Sequence, residues 1–284
     1  MSPDNDDELR RSIEALTAAG GAKSDRDEAL PVIDRLLAAL EEGRVRAAEP
    51  WGDGWRINAW VKRGILLAFR VGQDRGHDIG PAFHFRDRDT LPTWSPNVAD
   101  RNVRIVPGGS AVRRGVFLGD GVVVMPPAYV NVGAWVGEGS MVDSHVLVGS
   151  CAQVGQGVHL SAAAQIGGVL EPVRAMPVVV EDGVFVGGGC GIYEGTRVEA
   201  GAVLAPGVVL TRAVPVYDLV RGEVYRAGPE APLIVPKGAV VVPGSRPARG
   251  AFARAEGLHL QTPVITKYRD DGTAAALALE DALR

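Results

Sequence analysis

Counted in steps of six from Val106, the chain places a β-compatible aliphatic residue at every stop: Val112, Leu118, Val124, Val130, Val136, Val142, Val148, Val154, Leu160 and Ile166. The series breaks at LEPVRAMP and resumes two residues out of phase as Val180, Val186, Ile192, Val198, Leu204, Leu210 and Val216. Four residues after each aliphatic runs a second series of small or β-branched residues, such as Ala128, Ala134, Ser140, Ala152, Cys190 and Ala202. An amphipathic helix would repeat every 3.6 residues and a half-buried strand every second residue. A repeat of six fits neither. It fits a short strand followed by a sharp corner.

Three such units close one triangular coil. The aliphatic residue fills the interior, and the small residue fits the crowded corner. Glycine supplies corner conformations with positive φ. This is the hexapeptide signature of a parallel β-helix, in which each coil buries its face only against its neighbours. The run from about 104 to 220 supplies roughly six coils.

The flanking segments follow other rules. In EALPVIDRLLAALEEG, Ile33, Leu36, Leu37 and Leu40 form one apolar helical face, with Pro31 near the start and Gly43 past the end. INAWVKRGILLAFRVG also reads as a helix. The stretch GQDRGHDIGPAFHFRDRDTLPTWSPN, rich in charge, Gly and Pro, reads as irregular. After the repeat, alternating apolar residues around Gly and Pro predict short strands or hairpins. The tail TAAALALEDALR predicts a short helix. The expected division is a helical domain over 1–100, the β-helix over 101–220 and a C-terminal extension over 221–284.

Composition narrows the function. Glycine, at 37 of 284 residues, is well above the usual level of about 7%, as many tight corners require. A net charge of −4 argues against general nucleic-acid binding. Two cysteines, Cys151 and Cys190, cannot build a disulfide framework and fit a reducing cytoplasm. With no adjacent base, they read as packing residues rather than nucleophiles. The acidic N-terminus lacks a signal-peptide core, and no apolar run approaches a membrane span. The chain is therefore expected to be soluble and cytoplasmic, with neither nucleic acid nor membrane as partner.

Hexapeptide prisms resemble acyltransferases using acyl-CoA or acyl carrier protein, γ-type carbonic anhydrases, sugar-nucleotide pyrophosphorylases, or scaffolds without chemistry. A zinc hydratase needs three converging imidazoles. Of five histidines only His145 and His159 lie in the repeat, 14 positions apart, so they do not stack. No strand–GxG–helix pattern in the N-terminal part supports a nucleotidyltransferase. No metal is expected.

Several stretches resemble the tetrahydrodipicolinate N-succinyltransferase family of bacterial lysine biosynthesis: VRIVPGGSAVRRG, MPPAYVNVGAWVGEGSMVDSHVLVGSCAQVGQGVHLS, AQIGGVLEP and VVEDGVFVGG. The likeness covers about 30 to 268. It implies a mainly β fold: a left-handed parallel β-helix with an N-terminal α-helical domain and a small C-terminal β extension. It also implies a homotrimer with active sites between protomers, and transfer of succinyl from succinyl-CoA to the amino group of ring-opened 2-amino-6-oxopimelate. The family's MVD aspartate is Asp143 here, and its substrate-binding arginine is Arg104 in VRIVP.

Two departures stand out. The family's SEVVEG-like stretch, with a second acidic residue, reads CGIYEG here. Gly191 replaces the glutamate, and Glu194, three residues on, is the candidate to share its role. MPPAYVN is one residue longer than the common MPSYVN-like form. Together they leave acetyl-CoA, the donor of a related N-acetyltransferase, as the alternative to succinyl-CoA, and a scaffold without activity as a further one. Asn131, His145 and Ser161 are candidate substrate contacts; Ser161 should stack on Asp143 one coil later. Gly167 and Gly168, before the register break, together with Gly187, Gly188 and Lys267, are candidates for holding CoA. The break itself is expected to be a flap over the acyl donor.

Overall fold

The computed structural model describes residues 4–18, 25–93, 102–229, 231–270 and 272. The tail predicted as a helix, 273–284, lies outside the described residues.

Val112 and its successors up to Ile166 are all buried, as are Val180 to Leu210. Each ends a two-residue strand, and three faces of parallel strands result. Face 1 carries Arg104–Ile105, Val123–Val124, Met141–Val142, His159–Leu160, Phe185–Val186 and Val203–Leu204. Face 2 carries Ala111–Val112, Tyr129–Val130, Leu147–Val148, Gln165–Ile166, Gly191–Ile192 and Val209–Leu210. Face 3 carries Phe117–Leu118, Trp135–Val136, Gln153–Val154, Val179–Val180, Arg197–Val198 and Ile234–Val235. The chain runs from face 1 to 2 to 3 and back, forming a left-handed parallel β-helix whose interior is one continuous apolar core.

Three details differ from the six-step reading. At the first stop, Ile105 rather than Val106 stands in register with Val124. The step from Ile105 to Val112 holds one residue too many, taken up around Gly108 and Gly109, both at positive φ. At the break, Ile166 to Val180 spans 14 positions instead of six. An eight-residue insertion thus shifts the phase by two while the faces continue unbroken. At the far end, Val216 is buried but leaves the prism. Its strand, Val216–Asp218, pairs with the strand His259–Tyr268, and Ile234–Val235 supplies the next rung of face 3. Face 1 is extended by the antiparallel pair Ala239–Pro247 and His259–Tyr268.

Three helices, α1 (Asp4–Ala18), α2 (Arg26–Glu41) and α3 (Ala59–Val71), share a second core around Leu9, Ile13, Leu36, Leu37, Leu40 and Ile65. α2 starts five residues before Pro31, capped by the Asp25 carboxylate on the Asp27 N–H. Pro31 therefore lies inside the helix. Val132 and Cys151, from the corner between faces 2 and 3, belong to the helical core. This is how the helices dock on the prism. Glu41 reinforces the joint by accepting from Arg114 Nε and the Gly115 N–H.

Two hairpins were hidden by charge and glycine. β1 (Ala48–Trp51) and β2 (Gly54–Ile57) lie over face 3, where the Trp55 indole donates to Glu181. β3 (Asp74–Ile79) and β4 (Phe83–Arg88) occupy the stretch read as irregular. The two-residue alternation of FHFRDR was the overlooked signal.

Candidate active site

Asp143 follows inward-facing Val142, so it stands at the turn from face 1 to face 2. Its N–H donates to the Leu160 carbonyl at 3.0 Å, fixing it beside the next coil. Its Oδ1 accepts the Ser144 N–H at 2.6 Å. The other carboxylate oxygen has no hydrogen-bond or ionic partner among the described residues. Ser161 occupies the same place one coil on, its N–H donating to Val186. Gly187 follows on the next coil. A Cβ there would sit 2.6 Å from the Pro206 nitrogen, so the corner has no room for a side chain. At Gly188 the nearest atom to a Cβ is the Ala162 carbonyl oxygen, at 3.4 Å. Asp143, Ser161 and Gly187 thus form one file along the prism axis, with Gly188 beside Gly187 on the same corner.

Arg104 is exposed on face 1 and makes no ion pair among the described residues. Its rung partner is Val123, and that of Val123 is Met141, two residues before Asp143. Two inter-strand spacings of about 4.8 Å put its strand roughly 10 Å from that of Asp143.

His145 closes the same turn as Asp143. It is exposed and holds φ 61, in the left-handed region that Gly139 (φ 66) and Gly157 (φ 60) occupy at equivalent corners. Histidine tolerates that region better than most residues, at some cost in strain.

The remaining candidates lie elsewhere. Asn131, Gly167 and Gly168 belong to the corner between faces 2 and 3, and Glu194 follows on its next coil. Asn131 Oδ1 accepts the adjacent Val132 N–H at 2.9 Å, closing its own turn. Glu194 is exposed at φ 54, and its carboxylate accepts the Arg212 N–H at 2.7 Å. Lys267, on the C-terminal extension, pairs with Asp270 at 3.2 Å. The sequence-derived residues therefore fall at two corners of the prism, separated by face 2, with Arg104 on face 1 and Lys267 on the C-terminal extension.

A cavity of about 990 Å³ opens at the second corner. Gly167, Gly168, Tyr193 and Arg212 line it, and the insertion walls it with Glu171, Arg174 and Met176. Sequence reasoning passed over Tyr193, whose signal was the replacement of the second valine of SEVVEG by an aromatic residue. A second cavity of about 700 Å³ lies between the β1–β2 hairpin and face 3, over the stacked rings of Phe117 and Trp135.

The cysteines stay out of the chemistry. Burial pushes the Cys151 thiol up to about 12, against the opposing pull of Lys62, and also raises Cys190. Neither forms a ready thiolate. Among the described residues no group of three or more His, Cys, Asp or Glu side chains could hold a metal ion, and no helix is long and apolar enough to cross a membrane.

Residues 8–71 match the family model for the tetrahydrodipicolinate N-succinyltransferase N-terminal domain, and residues 177–212 match that for the hexapeptide repeat of succinyl-transferase. A 2,3,4,5-tetrahydropyridine-2,6-dicarboxylate N-succinyltransferase from Aromatoleum aromaticum is 45% identical over 255 residues, covering 88% of this chain and 87% of that protein. Proteins of the same name from Neisseria meningitidis and Cupriavidus taiwanensis are 43% and 42% identical; the first alignment covers 87% of both chains, the second 92% of both. With identity this high over nearly the full length of each partner, the chain belongs to the 2,3,4,5-tetrahydropyridine-2,6-dicarboxylate N-succinyltransferase family.

Proposed function

We propose that the protein transfers a succinyl group from succinyl-CoA to the amino group of ring-opened tetrahydrodipicolinate, 2-amino-6-oxopimelate, in the lysine and diaminopimelate branch of cytoplasmic metabolism. The observation that carries this reading is Asp143. Its carboxylate is held on one side by the Ser144 N–H and open on the other, on a corner that carries Ser161 one coil on and Gly187 two coils on.

The chemistry follows from these groups. An amine attacking a thioester must be neutral and must shed a proton as the new bond forms. The free oxygen of Asp143 orients the amine and accepts that proton. Negative charge then builds on the thioester oxygen, where backbone N–H groups near the glycines stabilise it. Collapse of the tetrahedral intermediate forms the amide and expels CoA as its thiol, which takes up the proton. Arg104, without an ion pair among the described residues, grips a carboxylate of the acceptor by a bidentate pair. Ser161 and His145 flank Asp143 and contact the acceptor. Gly187 and Gly188, one coil beyond Ser161, leave that corner free of side chains where the pantetheine arm of CoA passes.

The second corner fits the same reading through assembly. We place the site between two prisms of a homotrimer, one giving the Asp143 corner and its neighbour the corner with Asn131, Gly167, Gly168 and Glu194. Lys267 serves the phosphates of CoA as a point charge.

Release of CoA thiol in the presence of tetrahydrodipicolinate tests the proposal with each donor separately. Turnover with succinyl-CoA and little with acetyl-CoA is the expected result. Preference for acetyl-CoA would overturn the donor, and no release with either would overturn the activity.

A further inference from the structure

Lys62 lies on α3 with no exposed surface. A buried ammonium is costly unless it finds polar partners. Among the described residues no carboxylate pairs with Lys62. Burial pulls its pKa down, partly opposed by the neighbouring Cys151. What Lys62 does have is the carbonyl of Ala175, 113 residues along the chain, to which Nζ donates at 2.6 Å.

Ala175 belongs to the insertion that leaves face 2 after Ile166 and rejoins the prism at Val179. The insertion is not a free flap. Near its start, Leu170 packs against the helical core. Midway, the Ala175 N–H donates to the Pro172 carbonyl at 2.9 Å, closing a turn. Beyond it, the Met176 carbonyl lies so close to Gly195 that a Cβ there would stand 2.6 Å from the oxygen. Apolar contact such as that of Leu170 is non-directional and leaves the tip free to slide. A short charge-assisted hydrogen bond fixes one atom. The Val169 N–H donates to the Ser150 carbonyl at 3.2 Å near the base of the insertion, and Lys62 fixes its far side, at Ala175 in the wall of the 990 Å³ cavity.

We propose that Lys62 is a positioning residue: its buried ammonium holds the insertion closed against the prism and thereby sets the affinity for the acyl donor. The consequence for the donor rests on the function proposed above; the clamp itself does not.

Limited proteolysis separates the two. Arg174 and Arg226 are both exposed, and each is followed by alanine. In the wild-type protein trypsin should cut after Arg174 much more slowly than after Arg226. Lys62→Met replaces the ammonium with an apolar chain of similar length. It should speed cleavage after Arg174 on the order of ten- to a hundredfold, the worth of one hydrogen bond to a charged group, and leave cleavage after Arg226 unchanged. KM for the acyl donor should rise by a similar factor with kcat within about threefold. Lys62→Gln, a shorter donor, should fall between wild type and Lys62→Met. Equal cleavage at the two bonds in the wild-type protein overturns the clamp even if the variants do not fold. So does unchanged cleavage after Arg174 in a folded Lys62→Met protein. Faster cleavage in a protein inactive with every donor would leave the clamp standing and remove the proposed activity.

Discussion

The ring of Tyr193 lies where a side chain on residue 191 would have to go. A Cβ built on Gly191 would stand 2.5 Å from Cε2 of that ring and 2.9 Å from its hydroxyl oxygen. The same ring passes 2.9 Å from the place of a Cβ on Gly167. Two glycines on neighbouring coils, Gly191 on face 2 and Gly167 just past its edge, thus make a flat bed for one aromatic ring. The replacement of SEVVEG by CGIYEG is therefore one coupled change: the acidic side chain is lost and an aromatic ring takes its space.

The coupling predicts an asymmetric result. Gly191→Glu alone forces the ring off its bed, an overpacking that should cost about 1–3 kcal/mol. Tyr193→Val in the same chain should recover most of that loss. Thermal melts of the two single variants and the double variant measure the interaction directly. Additive melting shifts would show that the two positions are independent.

Asp143 is expected to act in chemistry and not in folding. Its hydrogen bond to Ser144 is local, and the coil is held by backbone pairing and the buried Val142. Asp143→Ala should therefore melt within a few degrees of the parent while kcat falls by about 10²- to 10⁴-fold, the usual worth of a positioned acid–base group. Near-normal turnover would take Asp143 out of its proposed role.

Arg104 makes a different split. An exposed guanidinium without an ion pair contributes little to stability, so its value lies in binding. Arg104→Gln should raise KM for the dicarboxylate acceptor about ten- to a hundredfold, as expected for a charge-assisted pair. KM for the acyl donor should stay put. Equal rises for both substrates would point to a general distortion of face 1.

The prism was legible because its physics is repetitive. Each coil must send one aliphatic residue inward, and Val142, Val148 and Val154 do so with nothing else competing for their positions. The same logic places Ser161, 18 residues on, beside Asp143. It failed where the chain leaves the repeat. Val216 keeps the period but joins the extension, because burial alone does not say which neighbour provides it. Lys62 was invisible for a related reason: its partner is a backbone carbonyl, and any residue at position 175 would provide one. The β3–β4 hairpin escaped because its strands are exposed: the alternation of Phe83 and Phe85 is short, and charged residues fill the rest.

Asp89 ties together segments that sequence reasoning could not connect. Its carboxylate accepts the Gln73 N–H at 2.9 Å, Arg26 Nη2 at 2.6 Å and Arg75 Nε at 3.0 Å. The backbone bond from Gln73 is the largest cause, and with the two guanidiniums it outweighs burial and lowers the pKa to about 2, from an ordinary 3.8. A carboxylate with a depressed native pKa contributes stability above its unfolded pKa and loses it as pH falls through the native one. The contribution of Asp89 should thus be complete above about pH 4 to 5 and fade toward pH 2. Urea midpoints measured across pH 2 to 6 for the parent and for Asp89→Asn check this. The two curves should converge at the acid end and separate as pH rises, with the parent more stable. Parallel curves would mean that the charge on Asp89 does not hold the start of α2 against the β3–β4 hairpin.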